Sequence, residues 1–155
     1  IPGNWEGDLI IGQDGASACA TLVERTTRYL IIVALPLGRK ADQVCDALTR
    51  RIQGLPDQAM RTLTWDQGRE MARHQRLTHD TGVDMFVAHP HSPWERGTND
   101  NTNRLIRRYL PKGTPITSHQ PYLDAIAYEL NNCPRATLGY RTPTQTFNEL
   151  IATTH

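Results

Sequence analysis

Three aspartates have positions that suggest a shared site. Asp8 interrupts an apolar run near the start of the chain, Asp66 directly follows the apolar segment 63–65, and Asp100 lies among small polar residues. Strand interiors are depleted in aspartate, so the position of Asp8 is unusual. Three carboxylates brought together repel one another unless a cation lies between them, and hard oxygen ligands in this number suit Mg²⁺ or Mn²⁺. Two such ions about 3.5–4 Å apart promote in-line phosphoryl transfer, so the aspartates predict cleavage or strand transfer of phosphodiesters.

Each acid also has an ordinary structural interpretation. The Asp-Gln-Gly sequence that begins at Asp66 is typical of a turn, and Asp100 suits the N-cap of a helix. Asp8 is tolerated if its strand lies at the edge of a sheet. Glu6 shares a strand face with Asp8, either as a neighbour of the site or, more simply, as a solvated acid on an edge strand.

The elements that would position these acids follow from hydrophobic periodicity and turn signals. Alternating or β-branched runs predict strands, and apolar stripes at i, i+3, i+4 and i+7 predict helices. The predicted strands are 7–12, 16–23, 29–35, 62–65 and 85–88, and the predicted helices are 41–52, 70–81, 99–110, 121–131 and 144–151. Short turns join the first three strands, which indicates an antiparallel meander, and later strands are joined through helices. The expected fold is α/β, with a mixed sheet flanked by helices.

This order brings the acids together if the first strand and strand 62–65 are central neighbours. Asp8 and Asp66 then project close to each other, and the helix that follows residue 99 places Asp100 over them. The same helix predicts a basic face for the phosphate backbone of DNA, with a solvated helix surface as the alternative. The predicted DNA-binding residues are Arg96, Asn103, Arg104, Arg107, Arg108 and Lys112.

Composition restricts the remaining classes of protein. The 155 residues suit one domain, and 38% hydrophobic with 21% charged residues indicates a globular chain. No apolar run approaches the roughly 20 residues of a membrane span, and three widely spaced cysteines exclude a disulfide framework. The net charge is +1, but residues 1–95 carry 10 Lys/Arg against 12 Asp/Glu and residues 96–155 carry 7 against 4. A chain that begins at Ile1 without Met is expected to be part of a longer protein.

Several long motifs give a more specific indication. They read WEGDLI at 5–10, LTWDQGREM at 63–71, HSPWERGTNDNTN at 91–103, YLPKGT at 109–114 and LNNCPR at 130–135. In these motifs the chain resembles the catalytic domain of IS-thirty-family bacterial insertion-sequence transposases, in order and over nearly its whole length.

The resemblance implies a ribonuclease-H-like, retroviral-integrase-like fold over a single catalytic core domain, 1–155, with the N-terminal DNA-binding region absent. It implies a DDE-type polynucleotidyl transferase in which Asp8, Asp66 and Asp100 bind two Mg²⁺ or Mn²⁺ ions. Such an enzyme nicks transposon ends and joins the freed 3′-hydroxyl to target DNA. The implied setting is the bacterial cytoplasm at the nucleoid, with DNA as the partner, a homodimer or larger assembly, and no membrane.

One departure from the family pattern concerns the third acid, which is usually Glu. Asp100 is shorter by one methylene, or roughly 1.5 Å, and Mg²⁺ requires near-octahedral oxygens. Asp100 either still ligates, or the chain is a degenerate core that binds DNA or dimerises without cleavage. A retroviral-type integrase core is a further alternative. Glu95 precedes the predicted helix and ranks below Asp100 as a ligand.

Overall fold

The computed structural model describes residues 2–65, 74–87 and 97–154. Five strands and five helices lie in these ranges. The strands are β1 (Asn4–Ile11), β2 (Ala18–Glu24), β3 (Leu30–Ala34), β4 (Thr62–Trp65) and β5 (Asp84–Val87), and the helices are α1 (Ala41–Gln53), α2 (His74–Thr81), α3 (Gly97–Ile106), α4 (Gln120–Asn131) and α5 (Pro143–Thr154). A short 3₁₀ turn at Ala136–Leu138 precedes α5. The predicted order of strands and helices is confirmed.

The strands form one mixed sheet in the order β3-β2-β1-β4-β5. β2 pairs antiparallel with β1 and β3, as expected for strands joined by short turns. β4 pairs parallel with β1 and β5, and helices α1 and α2 provide the longer connections that parallel strands need. β1 is therefore the central strand, and the edge-strand interpretation of Asp8 is wrong.

Helices cover both faces of the sheet. On one face Trp5 and Leu9 of β1 belong to a core that includes residues of α1 and α5. On the other face Ile10 belongs to a second core built with α3 and α4, including Ile106 and Leu123. Because side chains alternate along a strand, Asp8 lies on the same face of β1 as Ile10, which is the face that α3 covers.

Gly7 is required by the close approach of β4. A Cβ added at this position would lie 2.3 Å from Cε3 of Trp65, the residue that pairs with Gly7 across the two strands. The ring of Trp65 is completely buried, so it has no room to move aside. The glycine next to Asp8 thus lets the two parallel strands pack closely at this point.

α3 ends earlier than predicted, and α5 ends later, at Thr154 rather than at 151. α3 ends at Ile106 rather than at 110, because the amides of Arg108 and Tyr109 bind carbonyls three residues back, those of Leu105 and Ile106, instead of four. The chain then reaches Pro111, which cannot donate to a continuing helix. The predicted helix 70–81 is described only from His74, and the segments 66–73 and 88–96 lie outside the described residues. None of the described helices is both long and apolar enough to cross a membrane.

Candidate active site

Asp8 is a half-buried carboxylate on the central strand, and both its oxygens accept hydrogen bonds. Oδ1 accepts from the backbone amide of Leu9 at 2.8 Å. Oδ2 accepts from Nδ2 of Asn103 on α3 at 3.1 Å. The carboxylate is therefore held in one orientation by its own strand and by the helix above it.

A buried threonine on the neighbouring strand extends this contact. Thr21 pairs with Asp8 across β1 and β2, and its side chain has no exposed surface. Its Oγ1 donates to Oδ1 of Asn103 at 3.2 Å. A chain of polar side chains thus runs from β2 through α3 to β1 and fixes the helix on the sheet at this point. Sequence reasoning missed Thr21, although it is the hydroxyl residue within the otherwise apolar run 18–23.

The second acid comes directly after the last described residue of β4. Gly7 and Trp65 are the last pair of β1 and β4 among the described residues, and the next residue of the sequence after each is an aspartate, Asp8 and Asp66. Asp66 itself lies outside the described residues. The expectation that the first strand and β4 are central neighbours is confirmed.

The third acid occupies a position on α3 that is defined by the backbone. Residue 100 lies one turn before Asn103 and therefore on the same face of the helix. Asn103 contacts Asp8, so this face of the helix is turned towards the part of β1 that carries Asp8. α3 begins at Gly97, which puts Asp100 inside the first turn rather than before the helix. The N-cap interpretation of Asp100 is therefore wrong.

Glu6 is buried, with 1% of its surface exposed, although the simpler interpretation made it a solvated acid on an edge strand. That interpretation is wrong because β1 has a neighbour on each side: Glu6 pairs with Val23 and Thr64. Nε of Arg25 lies 3.6 Å from Oε2 of Glu6 and compensates part of its charge.

The predicted DNA-binding residues separate into groups. Arg104, Arg108 and Lys112 are exposed at the end of α3 and just after it. Arg107 is half-buried, and its guanidinium donates to the carbonyls of Leu110 and Ile11 at 3.2 and 3.3 Å. The side chain of Asn103 is directed to Asp8, and Arg96 lies outside the described residues.

No group of three histidine, cysteine or acidic side chains that could hold a metal occurs among the described residues. Of the three predicted acids, Asp8 is the one whose side chain the structure describes. Burial raises the pKa of Cys19 to about 12, against a smaller opposing effect from Arg107. This buried thiol stays protonated at neutral pH and is therefore a poor nucleophile. The described ligand chemistry is that of a hard oxygen donor, which fits Mg²⁺ or Mn²⁺.

The sheet order, with Asp8 on its central strand, is that of an integrase-type core. The family model for the integrase core domain matches residues 2–93, which is more than half of the chain, and the chain belongs to this family. Its fold is similar to that of the catalytic core domain of BIV integrase in a crystal structure, with a TM-score of 0.73 over 98% of this chain and 97% of that chain at 19% identity. The predicted ribonuclease-H-like fold is confirmed.

Relatives with higher identity are named as transposases. The chain is 47% identical over 153 residues to the transposase for insertion sequence element IS1086 of Cupriavidus metallidurans. It is 47% identical to transposase InsI for element IS30A of Escherichia coli and 36% identical to the transposase for IS4351 of Bacteroides fragilis. The matches cover 96–98% of this chain but 45%, 39% and 45% of those relatives, so the chain spans less than half their length. The resemblance inferred from the motifs is confirmed.

Proposed function

We propose that the chain is the catalytic core of a DDE-type DNA transposase, which nicks transposon ends and joins the 3′-hydroxyl to target DNA. The observation that carries the proposal is the position of Asp8. Its carboxylate lies on the central strand, one residue beyond the last described pair with β4, and α3 holds it from the side that carries residue 100. Relatives named as transposases support this activity over that of a retroviral-type integrase.

Asp8, Asp66 and Asp100 are the residues that would hold two Mg²⁺ or Mn²⁺ ions. Bound ions would supply activation of the attacking oxygen and stabilisation of the leaving oxygen. The protein contributes a fixed carboxylate, because Leu9 and Asn103 orient Asp8. Such preorganisation lowers the reorganisation needed during the reaction.

DNA is the proposed partner, with its backbone along the C-terminal end of α3. The exposed cations Arg104, Arg108 and Lys112 would contact phosphates. Arg96 and Arg107 belong to the same predicted set, and so does Asn103, whose side chain binds Asp8 instead. Joining two transposon ends needs at least two active sites, so we expect a homodimer or a larger assembly. The proposed location is the bacterial cytoplasm at the nucleoid, where the substrate lies.

The test is nicking of a DNA duplex that carries a transposon end, by the protein at its full length. We expect activity with Mg²⁺ or Mn²⁺ and none with EDTA, and Asp8→Asn or Asp66→Asn should reduce nicking to background. Asp57→Asn, an exposed acid that precedes β4 whereas Asp66 follows it, is the matched control and should retain activity. Nicking that survives Asp66→Asn undiminished would contradict the proposal.

A second candidate is a degenerate core that binds DNA without cutting it. The observation that favours it is the combination of a short third acid with a helix that Asn103 and Thr21 fix in place. If α3 cannot move inwards, the missing methylene of Asp100 is not compensated. Substitution of Asp100 by Glu distinguishes the two candidates.

A further inference from the structure

Asn103 falls on the predicted DNA-binding face of α3, but its hydrogen bonds indicate a different role. Its Nδ2 donates to Oδ2 of Asp8 at 3.1 Å, and its Oδ1 accepts from Thr21 at 3.2 Å. Both polar ends of the amide are therefore engaged within the protein. A phosphate would have to bind the second N–H of Nδ2, directly beside the negative charge of Asp8.

We propose that Asn103 is a positioning residue for Asp8 and that Thr21 sets the orientation of the Asn103 amide. This inference rests on the proposed function, in which Asp8 is a metal ligand. An amide can present either its oxygen or its NH₂ group to a carboxylate, and only the NH₂ group attracts it. The donated hydrogen bond from Thr21 occupies the amide oxygen and leaves the NH₂ group for Asp8.

The location of Thr21 makes this orientation specific. The residue is completely buried and pairs with Asp8 across β1 and β2, so its hydroxyl cannot be replaced by solvent. Its Oγ1 also lies 3.5 Å from the carbonyl oxygen of Asp8, which is a longer contact than that to Asn103. The single hydroxyl proton therefore serves the amide. Partners of this kind fix the direction of a metal-ligating group.

A positioning role for Asn103 predicts that its loss weakens metal binding but leaves DNA binding unchanged. Asn103→Ala should weaken Mn²⁺ binding by about 10-fold, the range found when a hydrogen-bond partner of a metal ligand is removed. Thr21→Val, which keeps the shape but removes the hydroxyl, should weaken it in the same direction by a smaller factor. DNA affinity measured in EDTA should stay within about twofold for both variants, because the amide does not contact phosphate.

The experiment measures Mn²⁺ binding by calorimetry and DNA binding by fluorescence anisotropy, with the protein at its full length. Thr21→Ser keeps the hydroxyl and should bind Mn²⁺ like the unmodified protein. Thr62→Val is the matched control, since Thr62 donates to Oδ1 of Asn4 in the same sheet but away from Asp8. The double variant T21V/N103A should bind Mn²⁺ no more weakly than N103A, because Thr21 acts through Asn103.

Each outcome decides the proposal. Unchanged Mn²⁺ binding in N103A, together with weaker DNA binding, would overturn it and make Asn103 a DNA contact. If Mn²⁺ binding weakens as much in T62V as in T21V, the effect of Thr21 is purely structural. The proposal that Thr21 orients the Asn103 amide would then be wrong. If the unmodified protein binds no Mn²⁺, the proposed function fails and the inference fails with it. If it binds Mn²⁺ and the T21V and N103A variants bind equally well, the inference alone fails.

Discussion

At the scale of the residue, the question is whether Asp100 reaches the site from the backbone position that α3 gives it. The helix is fixed to the sheet one turn later by the bond between Asn103 and Asp8. The carboxylate at position 100 therefore extends from a helix that this bond holds to the sheet. In an active enzyme the distance from this backbone position to the metal site must match an aspartate side chain. In a degenerate core that distance would match the longer glutamate.

These alternatives predict opposite effects for Asp100→Glu. If the proposed function holds, nicking by the D100E variant should fall, because displacement of a reacting group by about 1 Å costs up to roughly 100-fold in rate. Asp100→Asn should abolish nicking and serves as the reference for complete loss. Single-turnover nicking at saturating Mg²⁺ measures both. A gain of activity in D100E over an inactive unmodified protein would instead support the degenerate core.

At the scale of the element, α4 closes the outer edge of the sheet. β3 lies at one edge of the sheet. Two side-chain amides of α4 bind its backbone as a neighbouring strand would. Asn131 donates to the carbonyl of Leu30 and accepts from its amide, at 2.9 and 2.8 Å. Gln120 donates to Ile32 and accepts from Ala34, each at 2.7 Å. Capping of this kind protects an edge from pairing with another chain.

Asn131→Leu should therefore be clearly destabilising. The variant leaves the amide and carbonyl of Leu30 without these partners in a buried position, and each unsatisfied group costs about 1–3 kcal/mol. We expect the free energy of unfolding to fall by about 2–4 kcal/mol in urea denaturation. Asn132→Ala removes an exposed amide from the same helix end and should cost much less. Equal losses in the two variants would show that the edge contact contributes little.

The elements themselves were largely predictable from the sequence, and their interactions were not. The periodicity of Leu123, Ile126 and Leu130 locates α4 correctly, because an apolar stripe is a local property. The capping by Gln120 and Asn131 depends on β3, about 90 to 100 positions earlier, and leaves no local signal. For the same reason the position of Asp8 was predicted, but its contact with Thr21 and Asn103 was not.

At the scale of the whole molecule, the near-zero net charge conceals a separation of charge. Asp8 lies in the N-terminal part, which has an excess of acids, whereas Arg104, Arg108 and Lys112 follow in the basic part. DNA affinity depends on the cations that face phosphates rather than on the sum over the protein. The location of a positive charge should therefore matter more than its contribution to the total.

Two triple variants with the same net charge test this directly. Replacing Arg104, Arg108 and Lys112 by Gln should weaken DNA binding and reduce the slope of log K against log salt by about 3, or roughly one unit for each lost phosphate contact. The matched variant replaces Lys40, Arg50 and Arg51, which are exposed cations on or beside α1, across the sheet from α3. It should leave both affinity and slope nearly unchanged. Anisotropy titrations between about 50 and 200 mM salt give both quantities. Equal effects of the two variants would mean that DNA responds to net charge, and the end of α3 would lose its place as the DNA-binding surface.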